Sequence, residues 1–335
     1  MTNPILVELT RGDLVESVHR GALAVVDANG ALVAALGDIE APVYSRSSLK
    51  PIQAMVLVES GAADAFGLSD EEISLACASH SGEPMHTSRV AAWLSRIGCT
   101  ADDLACGAHP SRHEATYEAM LHAGEQPTRI HNNCSGKHTG FLTVARHWDV
   151  ATLGYERVDH PVQKAVAAVL KDLSGARELP YGIDGCAAPN FATSLTEFAR
   201  AAARMASCHG LEPARAQAAR RILHAMMTHP ELMSGSGRSC AALIRSSHAR
   251  VAVKTGAEGF FGGWIPERGL GIAIKIDDGA HRASETVIAA LLDKLGLLGD
   301  LPNARALMQG PVLNTRGAAV GEKRPAQALR ALALS

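Results

Sequence analysis

Residues 21–37, GALAVVDANGALVAALG, place two apolar runs on either side of Asn29-Gly30. An Asn-Gly pair between apolar runs is the strongest short-range signal for a β-hairpin, because both residues tolerate the positive φ of a tight turn. Towards the other end, the apolar runs 250–255 and 270–276 also have β-strand character, and a Gly-rich segment joins them. The sequence therefore predicts one antiparallel sheet assembled from strands at both ends of the chain.

The section between these strands has the pattern of α-helices. Apolar residues recur at helical spacing in the segments 51–59, 71–79, 87–97, 114–123, 161–173, 193–208 and 213–227, and again in 284–298 after the last strand. Two sections, 127–141 and 180–192, are predicted to be connections, and the Ala-rich tail from Asn303 is expected to be loosely held. The predicted fold class is therefore α/β of the α+β kind, with a sheet from both ends and a helical middle region.

Composition excludes several function classes. The chain has 335 residues, of which 47% are hydrophobic and 20% charged, as in an ordinary globular protein. A net charge of -2 and an aromatic content of 4% argue against a nucleic-acid-binding protein. No apolar run approaches the roughly 18–20 residues that span a bilayer, and the N-terminus lacks a signal-peptide pattern. We expect a cytoplasmic protein with no membrane or nucleic-acid partner, whose seven cysteines are reduced thiols.

Ser47 and Lys50 form an S-x-x-K motif at the predicted start of a helix. Residues three apart share one helix face, so the Ser47 hydroxyl and the Lys50 amine could meet there. A buried lysine loses its charge more readily and could take the serine proton, while N-terminal N–H groups hold an oxyanion. Such a motif also occurs by chance in a chain of this length. By itself it is a weak signal.

A second motif, Lys254-Thr255-Gly256, lies on a predicted apolar strand. S-x-x-K followed by K-T-G is the pair found in penicillin-recognising serine enzymes. Ser79-His80 then provides either a nucleophile and its base, a second hydroxyl that relays a proton, or simply a helix cap.

The segment 131–140, HNNCSGKHTG, concentrates side chains that can bind a substrate or a metal. It is not a phosphate-binding P-loop, because the first glycine of that motif is missing. Cys134 and Cys186 could supply two thiolates to zinc, with Lys137 nearby, but their spacing alone favours buried structural cysteines.

Taken together, these motifs resemble the asparaginase II family, the rhizobial-type L-asparaginases. The resemblance covers nearly the whole chain and rests on residues 45–51, 77–83, 132–140, 184–186, the Gly/Ser loop before Cys240, Lys254 in VKTGAEG, and 275–279.

The resemblance implies a serine β-lactamase/glutaminase-like fold, in which 1–335 is a single catalytic unit and about 70–230 could form a helical subdomain. It implies a homodimer that hydrolyses L-asparagine to L-aspartate and ammonia with two Ser–Lys pairs, Ser47 with Lys50 and Ser79 with Lys254. It further implies zinc as a cofactor, held by Cys134, Lys137 and Cys186. The implied substrate-binding residues are Arg46, His80, Asn133, Asp184 and Cys240.

The expected mechanism has Ser47 attacking the side-chain amide, although the roles of Ser47 and Ser79 could be reversed. Asp184 would pair with the substrate α-ammonium group and Arg46 with the α-carboxylate, because an amino acid needs a partner of each sign. The alternative function is a penicillin-recognising type of serine amidohydrolase or esterase, including glutaminase side activity. A non-enzymatic amino-acid sensor is a third class, against which both intact Ser–Lys pairs argue.

Overall fold

The computed structural model describes residues 2–334. The strands are β1 (Ile5–Arg11), β2 (Leu14–Val26), β3 (Leu32–Leu36), β4 (Val43–Tyr44), β5 (Tyr181–Ile183), β6 (Pro189–Thr193), β7 (Ala252–Thr255), β8 (Phe260–Ile265), β9 (Leu270–Ile276), β10 (Gly310–Leu313) and β11 (Ala319–Pro325). The α-helices are α1 (Lys50–Glu59), α2 (Ala62–Ala65), α3 (Asp70–Ala76), α4 (Pro84–Arg96), α5 (Glu114–Ala123), α6 (Ser135–His147), α7 (Pro161–Ser174), α8 (Leu195–Ser207), α9 (Pro213–Thr228), α10 (Pro230–Ser234), α11 (Ser239–Ser246), α12 (His281–Lys294), α13 (Pro302–Met308) and α14 (Gln327–Ala331).

The main sheet joins strands from both ends of the chain. Its order is β10-β11-β1-β2-β9-β8-β7, with β3 paired to β2, and every pairing is antiparallel. Strand β2 is the link, because its first half pairs with β1 and its second half pairs with β9 from Gly21↔Ile276 to Val26↔Gly271. The predicted α+β fold class, a sheet from both termini with a helical middle region, is confirmed.

The hairpin predicted around Asn29-Gly30 is formed by β2 and β3. Its turn is longer than two residues, since the Asp27 N–H donates to the Ala31 carbonyl at 2.9 Å. Of the Asn-Gly pair, Gly30 alone adopts a positive φ, of 82°. The Asp27 carboxylate accepts hydrogen bonds from the backbone N–H groups of Asn29 and Ala31. These bonds stabilise the longer turn in place of the expected tight turn with positive φ at both Asn29 and Gly30.

Strand β8 lies in the segment that the sequence suggested was only a Gly-rich connection. Its glycines allow helix α8 to pack against the sheet. A Cβ at Gly262 would lie 2.8 Å from the ring of Phe198 on α8, and one at Gly271 of β9 would lie 2.0 Å from the Ala199 carbonyl oxygen. Glycine here marks the close approach of a helix to a strand, not a turn.

Helix α6 begins within the section 127–141 that was predicted to be a connection, and it covers the last seven residues of that section. Eleven of its 13 residues, from Ser135 to Ala145, are buried. A helix that is buried all round shows no polar and apolar faces, so its period is absent from the sequence. At Gly136 a Cβ would lie 2.3 Å from the Leu75 carbonyl oxygen, so a glycine is required where α6 contacts α3.

The tail beyond Asn303 is part of the sheet and is not loosely held. Strand β11 pairs with β1 through Val7↔Pro325, Glu8↔Arg324 and Leu9↔Lys323, and β10 completes that edge. One hydrophobic cluster connects the sheet and the helices. Within residues 2–334, no helix is long and apolar enough to cross a membrane.

Candidate active site

A polar cleft of about 250 Å³ lies where the start of α1, the segment after α3, the start of α6 and the end of β7 meet. Its lining residues carry predominantly hydroxyl, amide, thiol and charged side chains, and they are Arg46, Ser47, Ser79, His109, Arg112, Asn132, Asn133, Cys134, Asp184, Gly185, Cys186, Arg238, Thr255, Gly256, Ala257 and His281.

Ser79 lies between two lysines at the floor of this cleft. The Lys50 amine donates to its hydroxyl oxygen at 3.0 Å and the Lys254 amine donates at 2.9 Å. Lys50 also donates to the Ala78 carbonyl, and Lys254 to the Thr255 carbonyl at 2.8 Å. Both lysines are almost fully buried, with exposed fractions of 2% and 0%. Three residues from distant parts of the chain therefore form one connected proton path.

Burial also changes the pKa of one of these two lysines. Desolvation, together with the charge of Lys50, lowers the pKa of Lys254 to about 7, despite an opposing effect from Cys240. An amine with that pKa is available as a base near neutral pH, which is what nucleophilic catalysis by serine requires.

Ser47 occupies a short 3-10 turn (Arg46–Leu49) that leads directly into α1, with Pro51 in the first turn of that helix. The turn begins with Arg46 at a φ of 50°, an uncommon conformation for a non-glycine residue. In the described part of the chain, the Lys50 amine has hydrogen bonds to Ala78 and Ser79 and none to Ser47. The structure thus brings Ser47 and Ser79 into one cleft, and it joins Lys50 to Ser79.

Arg46 and Asp184 form an ion pair at one side of the cleft. The Arg46 guanidinium donates to the same carboxylate oxygen through Nη2 at 2.8 Å and Nε at 3.3 Å. Burial would raise the pKa of Asp184, but the hydrogen bond from Arg46 and the charge of Lys137 outweigh it and hold that pKa below its ordinary value. Asp184 is the only acidic side chain among the residues that line the cleft.

Cys134, Lys137 and Cys186 meet at the buried end of the cleft. The Lys137 amine donates to the Cys186 sulfur at 3.0 Å. A hydrogen bond from the Cys134 thiol and the Lys137 charge lower the pKa of Cys186, so Cys186 is the thiolate of the pair. Burial alone would lower the pKa of Lys137, but the two cysteines outweigh burial and raise it.

Cys134, Lys137 and Cys186 provide a donor set of the kind that binds zinc. Two sulfurs and one amine are suitable nitrogen and sulfur donors, and three protein ligands leave the fourth position open. Counting only His, Cys, Asp and Glu, residues 2–334 contain no group of three or more that could hold a metal. The set therefore fits zinc only with a neutral Lys137 as the third ligand.

The remaining expected substrate-binding residues divide into two groups. Asn133 lines the cleft, whereas His80 and Cys240 are buried behind it. The His80 ring interacts with the Ser135 hydroxyl at 2.9 Å and stacks on His86, and burial holds its pKa well below the ordinary value. The Cys240 sulfur accepts from the Thr255 N–H at 3.3 Å, next to Lys254. These two residues support the segments that carry Ser79 and Lys254.

Nine of the residues that line the cleft are absent from the sequence-based site prediction, and four of the nine matter most for its charge. They carry basic side chains and are His109, Arg112, Arg238 and His281. In the sequence, Arg238 belongs to the Gly/Ser loop before Cys240 and His281 follows residues 275–279. His109 and Arg112 belong to the segment 109–113, HPSRH, whose ligand-like histidine spacing was interpreted as a surface loop, whereas the structure places both residues in the cleft.

A serine hydroxyl held by buried amines beneath a small polar cleft is the arrangement of hydrolases that attack a carbonyl carbon with an activated oxygen. The arrangement can therefore supply a nucleophilic oxygen to a small carbonyl compound.

The chain belongs to the L-asparaginase II family, whose model matches residues 7–325. Membership in this family makes it an amidohydrolase that acts on a small molecule. No curated protein sequence matches the chain.

Three solved structures that the chain matches are distant from it in sequence. A candidate β-lactamase from Bacteroides dorei DSM 17855 is 15% identical with a TM-score of 0.43, over 76% of this chain and 84% of that one. Native Mglu is 15% identical with a TM-score of 0.39, over 83% and 65% respectively. An octameric penicillin-binding protein homologue from Pyrococcus abyssi is 11% identical with a TM-score of 0.37, over 89% and 80%.

Proposed function

We propose that the protein hydrolyses the side-chain amide of L-asparagine to L-aspartate and ammonia through a covalent serine ester. The observation that carries the proposal is the Ser79 hydroxyl held between the buried amines of Lys50 and Lys254, in a cleft that also contains Ser47. Family membership supplies the amide-hydrolysing chemistry, and the small volume of the cleft suits a substrate the size of one amino acid.

Ser47 is the nucleophile in this proposal. It lies in the turn that leads into α1, where backbone N–H groups without helical partners favour negative charge. The Ser79 oxygen already accepts two hydrogen bonds from lysines, which occupies its lone pairs and leaves its own proton free to be donated.

The proton of Ser47 passes by way of Lys50 and Ser79 to the neutral amine of Lys254, whose pKa of about 7 makes it the base of this path. The new C–O bond gives a tetrahedral intermediate, and its C–N bond then breaks as Ser79 donates a proton to the departing ammonia. Lys254 returns to Ser79 the proton that it took from Ser47, and its amine is neutral again. A water molecule then attacks the ester carbon and passes one proton along the same path to Lys254. The C–O bond to Ser47 breaks, Lys254 returns that proton to Ser47 by the reverse path, and aspartate is released.

Asp184 recognises the substrate ammonium group, because within residues 2–334 it is the only carboxylate that lines the cleft. Arg46 keeps that carboxylate ionised and oriented through their ion pair. The amide side chain of Asn133 lies in the same cleft and can bond the substrate head group.

Zinc is part of the proposal as a bound cofactor. Cys134, Lys137 and Cys186 would hold it, and zinc bound there would act as a Lewis acid that polarises a substrate oxygen or nitrogen. The resemblance to the family also implies a homodimer, which size-exclusion chromatography with light scattering tests directly.

The decisive experiment measures ammonia release from asparagine and glutamine side by side, with and without a chelator. We expect release from asparagine, and its loss in both Ser47→Ala and Ser79→Ala. Covalent labelling by a β-lactam, with no ammonia from asparagine, would instead support the penicillin-recognising alternative.

The identity of the nucleophile requires trapping of the ester by acid quench and peptide mass spectrometry. Trypsin leaves Ser47 and Ser79 on one peptide, 47–89, because Lys50 precedes Pro51 and no other basic cleavage site intervenes. A glutamate-specific protease cuts after Glu59 and separates the two serines. An added aspartyl mass on the Ser79 peptide would reverse the assignment.

A further inference from the structure

Two arginines in the cleft have guanidinium groups without a hydrogen-bond or ion-pair partner among residues 2–334. Arg112 lies just before α5, and Arg238 is the residue before the first turn of α11. Both line the same cleft as Ser47 and Ser79. Across residues 2–334, neither guanidinium makes a hydrogen bond or an ion pair, although most other arginines of the chain have carboxylate or carbonyl partners.

The segment that carries Ser79 also positions Arg112. The Arg112 N–H donates to the Ser81 carbonyl at 2.7 Å. The Ser111 hydroxyl donates to the same carbonyl at 2.8 Å. The backbone of Arg112 is therefore bound to Ser81, which is two residues after Ser79 in the sequence.

The same segment positions the loop of Arg238. The buried Glu83 carboxylate accepts from the Ser236 N–H at 2.9 Å and from the Ser236 hydroxyl at 2.7 Å. Gly235 adopts a φ of 115° there, and a Cβ at this position would lie 2.0 Å from the Ser81 hydroxyl oxygen. Both arginines are thus fixed relative to Ser79 by residues 81–83.

The charges of Arg112 and Arg238 act on each other, and neither guanidinium has a carboxylate partner of its own among residues 2–334. Partial burial and the charge of Arg238 lower the pKa of Arg112. Two guanidinium groups that face the same polar cleft repel each other. A carboxylate bound between them removes this repulsion, because guanidinium binds carboxylates through two parallel hydrogen bonds.

We propose that Arg112 and Arg238 bind the α-carboxylate of the substrate and restrict the enzyme to amides that carry one. This inference rests on the proposed function. It assigns the carboxylate to these two arginines and leaves Arg46 to Asp184, with which it is already paired. Glu83 is then a positioning residue, which acts through the loop of Arg238 and does not contact the substrate.

The test compares L-asparagine with L-asparaginamide, in which the α-carboxylate is replaced by a neutral amide. Arg112→Gln and Arg238→Gln are each expected to raise KM for asparagine about tenfold or more, the usual effect of losing one charge-assisted hydrogen bond. The wild-type preference for asparagine over asparaginamide, measured as a ratio of kcat/KM, should fall by a similar factor. The exposed Arg316, replaced by glutamine, is the matched control and should leave the ratio unchanged.

Glu83→Gln should also raise KM for asparagine. If Glu83→Asp, which keeps a carboxylate, leaves KM near the wild-type value, the carboxylate is what anchors the loop. An unchanged substrate ratio in the Arg112/Arg238 double variant would overturn the proposal. So would loss of the preference in Arg46→Gln alone.

Calorimetric binding of L-aspartate separates this inference from the proposed function. Weaker aspartate binding in both arginine variants supports the carboxylate site even if the wild type releases no ammonia. Equal aspartate binding by wild type and double variant overturns it, whatever the turnover.

Discussion

Replacing Lys254 with methionine tests the central feature of the site. The Lys254 side chain is fully buried, and burial lowers its pKa from the ordinary value of 10.5 to about 7. In the unfolded chain the same amine keeps its ordinary pKa. Between about pH 7 and pH 10.5 the unfolded state therefore binds a proton that the folded state does not, so the contribution of Lys254 to stability increases with pH over this range.

The size of this effect follows from the pKa difference. A difference of about 3.5 pH units, at roughly 1.4 kcal/mol per unit, gives about 4–5 kcal/mol between neutral and strongly alkaline pH. Below pH 7 both states are protonated, and the penalty for the buried charge is constant. Methionine has a similar length and cannot titrate, so Lys254→Met should lack this pH dependence.

The assay is urea unfolding followed by circular dichroism, with a reductant present, at several pH values from 6.5 to 10. The measured quantity is the free energy of unfolding of the wild type minus that of Lys254→Met, which we expect to rise by about 1 kcal/mol or more per pH unit. Lys164→Met, at an exposed position, is the control and should give a constant difference. A constant difference for Lys254 as well would refute the lowered pKa.

Other consequences follow from the same contacts. kcat/KM for asparagine should increase as pH rises through about 7, because Lys254 must lose its proton to act as a base. Lys254→Arg should abolish this increase and lower kcat/KM at least about 100-fold. A flat pH profile in the wild type would argue against Lys254 as the base. Gly235→Ala forces a Cβ against Ser81 at a positive φ and should cost about 1–3 kcal/mol, measured by urea unfolding, and an unchanged midpoint would contradict the close contact. In the protein without zinc, Cys186→Ser leaves the buried Lys137 ammonium without its thiolate and should destabilise the fold by about 3 kcal/mol, measured by urea unfolding with a chelator present. Lys137→Met in that variant should restore part of the loss, and a double variant that is no more stable would count against the pair.

Local patterns in the sequence predicted much of the fold. The Asn-Gly pair located the first hairpin, and helical periodicity located helices such as α7 and α9, because a half-exposed element must alternate polar and apolar residues. Strand β8 and helix α6 were not predicted from these patterns. Both are buried on all sides, so their sequences contain no alternation, and their glycines reflect close packing against Phe198 and Leu75.

For the site, the sequence alone identified Ser47, Lys50, Ser79 and Lys254 as candidates, because nucleophiles and bases come from few residue types and occur in recognisable motifs. Only the tertiary structure decided how they connect: Lys50 and Lys254 share Ser79, across 29 and 175 residues of sequence. It also brought Arg112 and Arg238 into the cleft. A hydrogen bond between distant residues depends on how β7, α1 and the segment after α3 pack together. This packing produces no periodic pattern in the sequence from which it could be predicted. The sequence determines which chemical groups are available, and packing determines which of them meet.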